Sequence, residues 1–196
     1  MIQNRPTEVN LPRIVDHDQR RAEILDLCLP LFAKQGYAAL SMRGLARALG
    51  VSTGTLYYYF DNKKSLFEAM VRRLSKREVA TAISLMPKDA TPEIRLTLLA
   101  TFVDVHMAEL QQVLQVAMEY QRHQPDSESN EFLRDTLSTY REAIIENFQL
   151  SASMSETILS MLIGMIIQRL FDPNAVNTRK QLLKLNNKKW NSDNDE

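Results

Sequence analysis

Apolar residues recur every three or four positions along most of the chain, which is the spacing of one face of an α-helix. No run of alternating apolar and polar residues indicates a strand. We therefore predict an all-α fold. The predicted helix over 91–123 has a candidate break near His106. Helices are expected over about 16–35, 42–49, 53–60, 62–86, 91–123, 130–149, 154–171 and 175–186.

Two of the predicted helices, 42–49 and 53–60, are short and separated by a tight turn. Ala46 is small where the two helices must cross closely, and Gly50 can adopt the positive φ that such a turn requires. Ser52 is a natural N-cap for the second helix. This arrangement is typical of a helix-turn-helix, whose second helix enters the major groove of DNA.

The net charge of zero hides an asymmetry between the two parts of the chain. Residues 1–80 contain 13 Lys and Arg against 8 Asp and Glu, and residues 81–196 contain 11 against 16. The first part therefore carries +5 and the second −5. A basic surface around a helix-turn-helix favours contact with a polyanion.

Other features narrow the class of protein. Cys28 is the one cysteine, so no internal disulfide can form, and its helical spacing predicts a buried thiol. The N-terminus has no signal-like apolar core. The apolar stretch 158–170 is interrupted by polar residues, and we expect it to be too short to span a bilayer. The expectation is a cytoplasmic protein without a membrane partner.

Catalytic chemistry has little support in the sequence. There is no phosphate-cradling glycine loop, no nucleophile elbow and no recognisable pair of catalytic carboxylates. His106 and His123 lack a third ligand at a recognisable spacing, so we expect neither a metal site nor a cofactor. An enzyme is not predicted.

Residues 31–37 read LFAKQGY, and residues 41–60 read SMRGLARALGVSTGTLYYYF, followed closely by NKKSLF. This pattern, over about residues 18–67, resembles the tetracycline-repressor (TetR) family of bacterial transcription regulators. The resemblance implies a larger downstream helical domain that dimerises and usually holds a small effector. We expect a flexible arm over 1–15 and a DNA-binding domain over 16–64, with a connecting helix from residue 62. An effector and dimerisation domain over 65–187 and a polar tail over 188–196 should follow.

Several residues of the helix-turn-helix region are expected to face DNA. The first turn of the second short helix points into the groove, and Tyr57 and Tyr58 point outward if Leu56 faces the core. Tyr59 is open to either role. Lys63 has an ammonium suited to phosphate, and the resemblance implies the same role. The DNA-contacting set is Ser41, Arg43, Thr53, Gly54, Thr55, Tyr57, Tyr58, Tyr59 and Lys63, with Arg5 and Arg13 of the arm as candidates for the minor groove.

The C-terminal part contains candidates for an effector site and for a dimer interface. Glu119 is either a polar anchor for an effector or a surface residue. The predicted effector-binding residues, each of which also fits a plain core role, are His106, Met107, Met118, Tyr120, His123 and Tyr140. Small residues four apart would let a partner helix approach closely, although Gly164 could equally pack inside its own domain. The predicted interface is Ser160, Gly164, Ile167 and Gln168.

The predicted function is a sequence-specific DNA-binding regulator, a homodimeric repressor released from a palindromic double-stranded DNA operator by a small apolar or aromatic effector. The alternative keeps the DNA-binding domain and drops the ligand. It describes an architectural or protein-recruiting DNA-binding protein, which a filled C-terminal core would favour.

Overall fold

The computed structural model describes residues 17–148 and 151–186. Within these residues the chain forms nine α-helices and no strand, which confirms the all-α prediction. The arm with Arg5 and Arg13, and the tail from residue 188, lie outside the described residues. The helices are α1 His17–Gln35, α2 Met42–Ala48, α3 Thr53–Tyr59, α4 Lys63–Ser84, α5 Pro92–Val105, α6 Met107–His123, α7 Ser127–Phe148, α8 Ala152–Phe171 and α9 Thr178–Asn186.

The first hydrophobic core lies among α1, α2, α3 and the first half of α4. Its centre is a group of aromatic rings, in which Phe67 stacks on Tyr120 with 4.5 Å between ring centroids and meets Tyr37 edge-on at 5.1 Å. Tyr120 belongs to α6, and Phe132 of α7 also reaches this core. The core that supports the N-terminal helices therefore extends beyond the predicted boundary at residue 64.

The second core lies among α5, the first half of α6, α7, α8 and α9. Leu96, Ile158 and Leu182 are almost fully buried there, one from each of three helices. Helix α4 passes from the first core toward the second, because Leu66 belongs to the first and Ala82 packs against the second. One continuous helix thus joins the two parts of the molecule.

Some helices begin a few residues away from the positions predicted from the apolar pattern, because local polar groups set their ends. The break at His106 is confirmed, because α5 ends at Val105 and α6 begins at Met107. Helix α7 begins at Ser127 rather than near residue 130, and the Asp126 carboxylate accepts a hydrogen bond from the Ser129 backbone N–H at 2.7 Å. Such side-chain acceptors satisfy the unpaired N–H groups of a first turn.

Helix α8 is long and apolar enough, by length and composition alone, to cross a membrane. The helix is longer than the apolar stretch 158–170 to which the expectation applied, since Ser151 caps it well before that stretch starts. In the structure Ile158, Leu162 and Met165 are buried in the second core. These residues form the inward side of α8, and only 22% of its apolar window is buried.

Candidate DNA-binding surface and internal cavity

The turn between α2 and α3 has the caps and the backbone geometry that the sequence predicts. Ser41 Oγ accepts a hydrogen bond from the Gly44 N–H at 3.1 Å, and Ser52 Oγ accepts one from the Thr55 N–H at 2.9 Å. Gly50 has φ of +67°, a conformation that residues with a Cβ rarely adopt. The helix-turn-helix is therefore fixed by short-range hydrogen bonds and one glycine.

Helix α3 presents two tyrosines to solvent. Leu56 is completely buried, whereas the side chains of Tyr57 and Tyr58 are 52% and 72% exposed. Gly54 is exposed beside them, and the Thr55 hydroxyl lies 2.8 Å from Ser52 Oγ. The outward face of α3 is thus free to meet a groove, and the predicted DNA contacts of Thr53 to Tyr58 remain predictions.

Tyr59 takes an intermediate position. It is half-buried and packs against the first core, and its ring centroid lies 4.7 Å from that of His17. His17 also meets Tyr58 edge-on at 5.3 Å. Sequence reasoning did not identify His17, because this contact depends on the tertiary placement of the start of α1 beside the end of α3.

Lys63 is tied to the protein itself. Its Nζ donates to the carbonyls of Tyr37 and Leu40, both at 2.8 Å, and lies 4.3 Å from the centre of the Tyr37 ring. Burial lowers the pKa of the Lys63 ammonium, an effect that the Glu119 carboxylate opposes. The ammonium also lies 3.5 Å from the Ala38 carbonyl, so its three donors all have acceptors, and a phosphate would have to replace this longest contact. Ser41 and Arg43 are exposed nearby, and the predicted phosphate contact of Lys63 remains a prediction.

A cavity of about 500 Å³ lies among α4, α5, α6, α7 and α8. Apolar side chains form most of its wall, and the side chains with polar groups are few. Of the six predicted effector-binding residues, Met118 and Tyr140 line it. The polar side chains in its lining are Glu78, Gln121, Thr136, Tyr140 and Asn147.

Tyr120 does not line the cavity, which does not support its predicted effector role. It is fully buried in the first core, where its hydroxyl donates to Glu68 Oε1 at 2.5 Å and lies 2.9 Å from Ser129 Oγ. The reason is helical geometry, because residues two apart on a helix differ in direction by about 200°. Met118 therefore faces the cavity while Tyr120 faces the other core.

His106, Met107 and His123 also lie outside the cavity wall, contrary to prediction. All three are at the ends of α6, away from its central turns. His106 caps α5 with its ring 4.5 Å from that of Phe102, and Met107 is buried in the second core. His123 is exposed, with Nδ1 2.9 Å from the Glu119 carbonyl oxygen.

Glu119 is a docking residue and not a cavity residue. Its Oε1 accepts a hydrogen bond from the backbone N–H of Ala38, in the turn between α1 and α2, at 3.1 Å. The pKa of the Glu119 carboxyl is lowered overall. Burial raises it, but two kinds of contact outweigh this effect: backbone hydrogen bonds from Ala38 and Tyr37, and the charges of His123 and Lys63. The predicted role as an effector anchor is therefore replaced by a link between α6 and the first three helices.

The cavity contains one buried carboxylate that sequence reasoning missed. Glu78 is 5% exposed, and the Tyr140 hydroxyl donates to its Oε2 at 2.5 Å. Its Oε1 is buried without a hydrogen-bond partner among the described residues. Burial raises the pKa of Glu78 to about 6. The signal was its spacing, four residues after Leu74 and seven after Val71 on the apolar face of α4.

The predicted interface residues lie on the exposed face of α8. Ser160, Gly164 and Gln168 line one shallow surface depression, and Ile167 is exposed next to it. A Cβ built on Gly164 would meet nothing within 4 Å. The alternative that Gly164 packs inside its own domain is therefore not supported, and the dimer interface remains a prediction.

Comparison with known proteins identifies the N-terminal part. Residues 24–70 match the family model of bacterial regulatory proteins, tetR family. The transcriptional repressor KstR2 of Rhodococcus jostii is 42% identical over 53 residues, which are 27% of this chain and 26% of that protein. The matched segments span between 26% and 44% of the first three curated relatives, so these relatives bear on the N-terminal domain.

Solved structures extend the likeness to the whole fold. SCO7518 from Streptomyces coelicolor A3(2) is 19% identical with a TM-score of 0.70, covering 86% of this chain and 97% of that one. The multidrug binding protein EbrR, solved with malachite green, is 18% identical with a TM-score of 0.67, covering 85% and 98%. Such low identity shows the fold alone. The family match and the short-range geometry of the helix-turn-helix lead to one conclusion: residues 24–70 form a helix-turn-helix domain that matches the bacterial regulatory proteins of the tetR family.

Proposed function

We propose that the protein is a cytoplasmic, homodimeric transcriptional regulator that binds a palindromic operator and is released by a small apolar or aromatic effector. The course of α4 carries this proposal. Leu66, near the start of the helix, is buried under the helix-turn-helix, and Glu78, Ala82 and Ile83 form part of the cavity wall. A molecule that occupies the cavity therefore touches the same helix that supports α3.

DNA recognition is assigned to the exposed face of α3. Tyr57 and Tyr58 extend from a short helix whose other side is anchored by Leu56. In a dimer built on α8, two copies of α3 would enter successive major grooves, so the half-sites should lie about 34–36 Å apart. The open space at Gly164 supports this interface, because it lets a partner helix approach closely.

The cavity favours an effector over the ligand-independent alternative. A filled C-terminal core would favour that alternative, whereas the structure holds about 500 Å³ of space, within the usual size of a small-molecule site. EbrR, a protein of the same fold, is solved with malachite green. An effector acts only through its different affinity for the operator-bound and the free form.

The test is a genome-wide pull-down of DNA fragments with the intact protein, followed by binding titrations on the enriched sequence. We expect a palindrome with half-sites one helical turn apart. Tyr58→Ala should change operator preference or weaken binding at least about tenfold without lowering the melting temperature, because the side chain is largely exposed.

Ile94→Ala, at an exposed position of α5, is the matched control and should leave operator binding unchanged. Absence of any enriched fragment would contradict the proposal. Equal affinity of the wild type and Tyr58→Ala for every enriched sequence would remove Tyr58 from the recognition surface.

A further inference from the structure

We propose that the effector is a lipophilic amine, whose apolar body fills the cavity and whose protonated nitrogen donates a hydrogen bond to Glu78 Oε1. This inference rests on the proposed role of the cavity as the effector site, and it adds the chemical class of the ligand. Two observations lead to it: an apolar cavity, and one buried carboxylate oxygen in its wall without a partner.

The unpaired oxygen is the first step of the argument. Buried polar atoms are almost always hydrogen-bonded, because an unsatisfied one costs free energy. Tyr140 satisfies Oε2 and holds the carboxylate in one orientation, which leaves Oε1 buried without a hydrogen-bond partner among the described residues. A carboxylate accepts hydrogen bonds only, so the missing partner must be a donor.

The surrounding charges are the second step. The cavity-lining residues of α5 and α8 are all apolar, and Tyr140 is the titratable one on α7. Arg77, next to Glu78 on α4, directs its guanidinium to Asp26 and to Glu109 of α6. His106 also lies beside Glu109, 3.7 Å away. No described cation forms an ion pair with Glu78, although the charge of Arg77 lowers its pKa, so a protonated ligand would supply its first ion pair.

The protonation state is the third step. Burial raises the pKa of Glu78 to about 6, and the nearby Glu109 charge acts in the same direction. At neutral pH most molecules therefore carry a negative charge inside an apolar wall. A cation removes that unpaired charge, whereas a neutral alcohol leaves it and a carboxylate adds a second one.

The experiment compares three ligands with the same apolar chain on the full-length protein: decylammonium, decanol and decanoate. Calorimetric titration at about pH 7.5 should show decylammonium binding at least about tenfold more tightly than decanol, with decanoate weakest. Between about pH 7.5 and pH 5 the affinity for decylammonium should fall by up to about tenfold as Glu78 becomes protonated, while that for decanol should not fall.

Glu78→Gln keeps the shape of the side chain and removes its charge. We expect the preference for decylammonium over decanol to shrink to less than about threefold in this variant. Glu109→Gln is the matched control, because it removes a neighbouring carboxylate that does not line the cavity, and it should keep the full preference. If Glu78→Gln does not fold, the pH profile of the wild type decides the question.

The outcomes separate this inference from the proposed function. Decanol and decylammonium binding equally well, with no pH dependence, would overturn the amine assignment while leaving an effector cavity in place. Tighter binding of decanoate would overturn it in the same way. Failure of all three ligands to bind would overturn both the amine assignment and the effector role, and operator binding would then stand alone.

Discussion

The Glu119 carboxylate accepts a hydrogen bond from the backbone N–H of Ala38, although the two residues are 81 positions apart in the chain. Glu119 lies in α6 and Ala38 lies in the turn between α1 and α2. Its neighbour Met118 lines the cavity. Helix α6 therefore touches the candidate effector site with one face and the DNA-binding domain with another.

Gly36 tests how tightly this contact is built. Its φ is +81°, and a Cβ at this position would lie 2.8 Å from Glu119 Oε1. Gly50 has φ of +67° with nothing within 4 Å of a Cβ, so Gly50→Ala should cost about 1–2 kcal/mol of unfolding free energy from backbone strain alone.

Gly36→Ala should cost about 1 kcal/mol more than Gly50→Ala, because Glu119 must move and give up its bond to Ala38. Chemical denaturation measures both, and repeating Gly36→Ala in a Glu119→Ala background should remove the difference. Equal costs of the two glycine substitutions in the wild type would show that the Glu119 contact contributes no stability.

Lys63 should affect both stability and DNA binding. Lys63→Ala leaves the carbonyls of Tyr37 and Leu40 without their donor, so we expect a loss of about 1–2 kcal/mol in unfolding free energy. If a phosphate replaces the long contact of the ammonium with the Ala38 carbonyl, Lys63→Ala should lower operator affinity at all sequences and reduce the salt dependence of binding by about one unit.

The matched control for this position is Lys64→Ala, whose side chain pairs with Asp126 and Glu128 at the surface and should change stability little. Unchanged affinity and salt slope in Lys63→Ala would leave the residue with a structural role alone. An unchanged melting temperature would remove the structural role.

Glu78 should make stability fall as pH rises through the weakly acidic range. Its pKa is about 6 in the folded protein, above the ordinary value of about 4.3, so the folded state holds the proton more tightly than the unfolded state. The free energy of unfolding should then decrease by about 2 kcal/mol between about pH 4 and pH 6.5 through this group.

Denaturation of the wild type and Glu78→Gln over this range measures the effect. The variant should gain stability relative to the wild type as pH rises, because an amide does not ionise. Glu131→Gln, at an exposed position of α7, is the control and should track the wild type. Parallel curves for Glu78→Gln and the wild type would contradict the raised pKa.

Gly164 should report on self-association. A larger side chain there meets open space within one protomer, so Gly164→Trp should keep the fold and the melting behaviour of the monomer. It should block close approach of a second α8 and shift the protein to monomers in light-scattering measurements. Ala80→Trp, at an exposed position of α4, is the control. A dimer that survives Gly164→Trp would place the interface elsewhere.

Features set by neighbouring residues were predictable from the sequence. Ser52 as a cap, Gly50 at a positive φ and the break at His106 depend on contacts within a few positions, and all three agree with the structure. The same is true of the exposure of Tyr57 and Tyr58, which follows from burying Leu56 on a helix.

Features that depend on how helices are rotated against one another were not predictable. Tyr120 and Met118 are two positions apart, yet Tyr120 is fully buried in the first core, whereas Met118 is 61% exposed and lines the cavity. Glu78 directly follows the basic residues Lys76 and Arg77 on α4, and its contact with Tyr140 depends on how α7 packs against α4. Lys63 turns back onto Tyr37 because the end of α1 lies within its reach.

The sharing of Tyr120 between α6 and the N-terminal core has a consequence for protein engineering. A chimera that grafts residues 17–70 onto an unrelated sensory domain would leave the faces of Phe67 and Tyr37 that pack on Tyr120 exposed to water. A functional chimera must therefore keep the buried side of α6, including Tyr120, together with the N-terminal helices. The DNA-binding helices of this fold can therefore be exchanged between proteins only together with the helix that packs on their core, and not as a stretch of sequence alone.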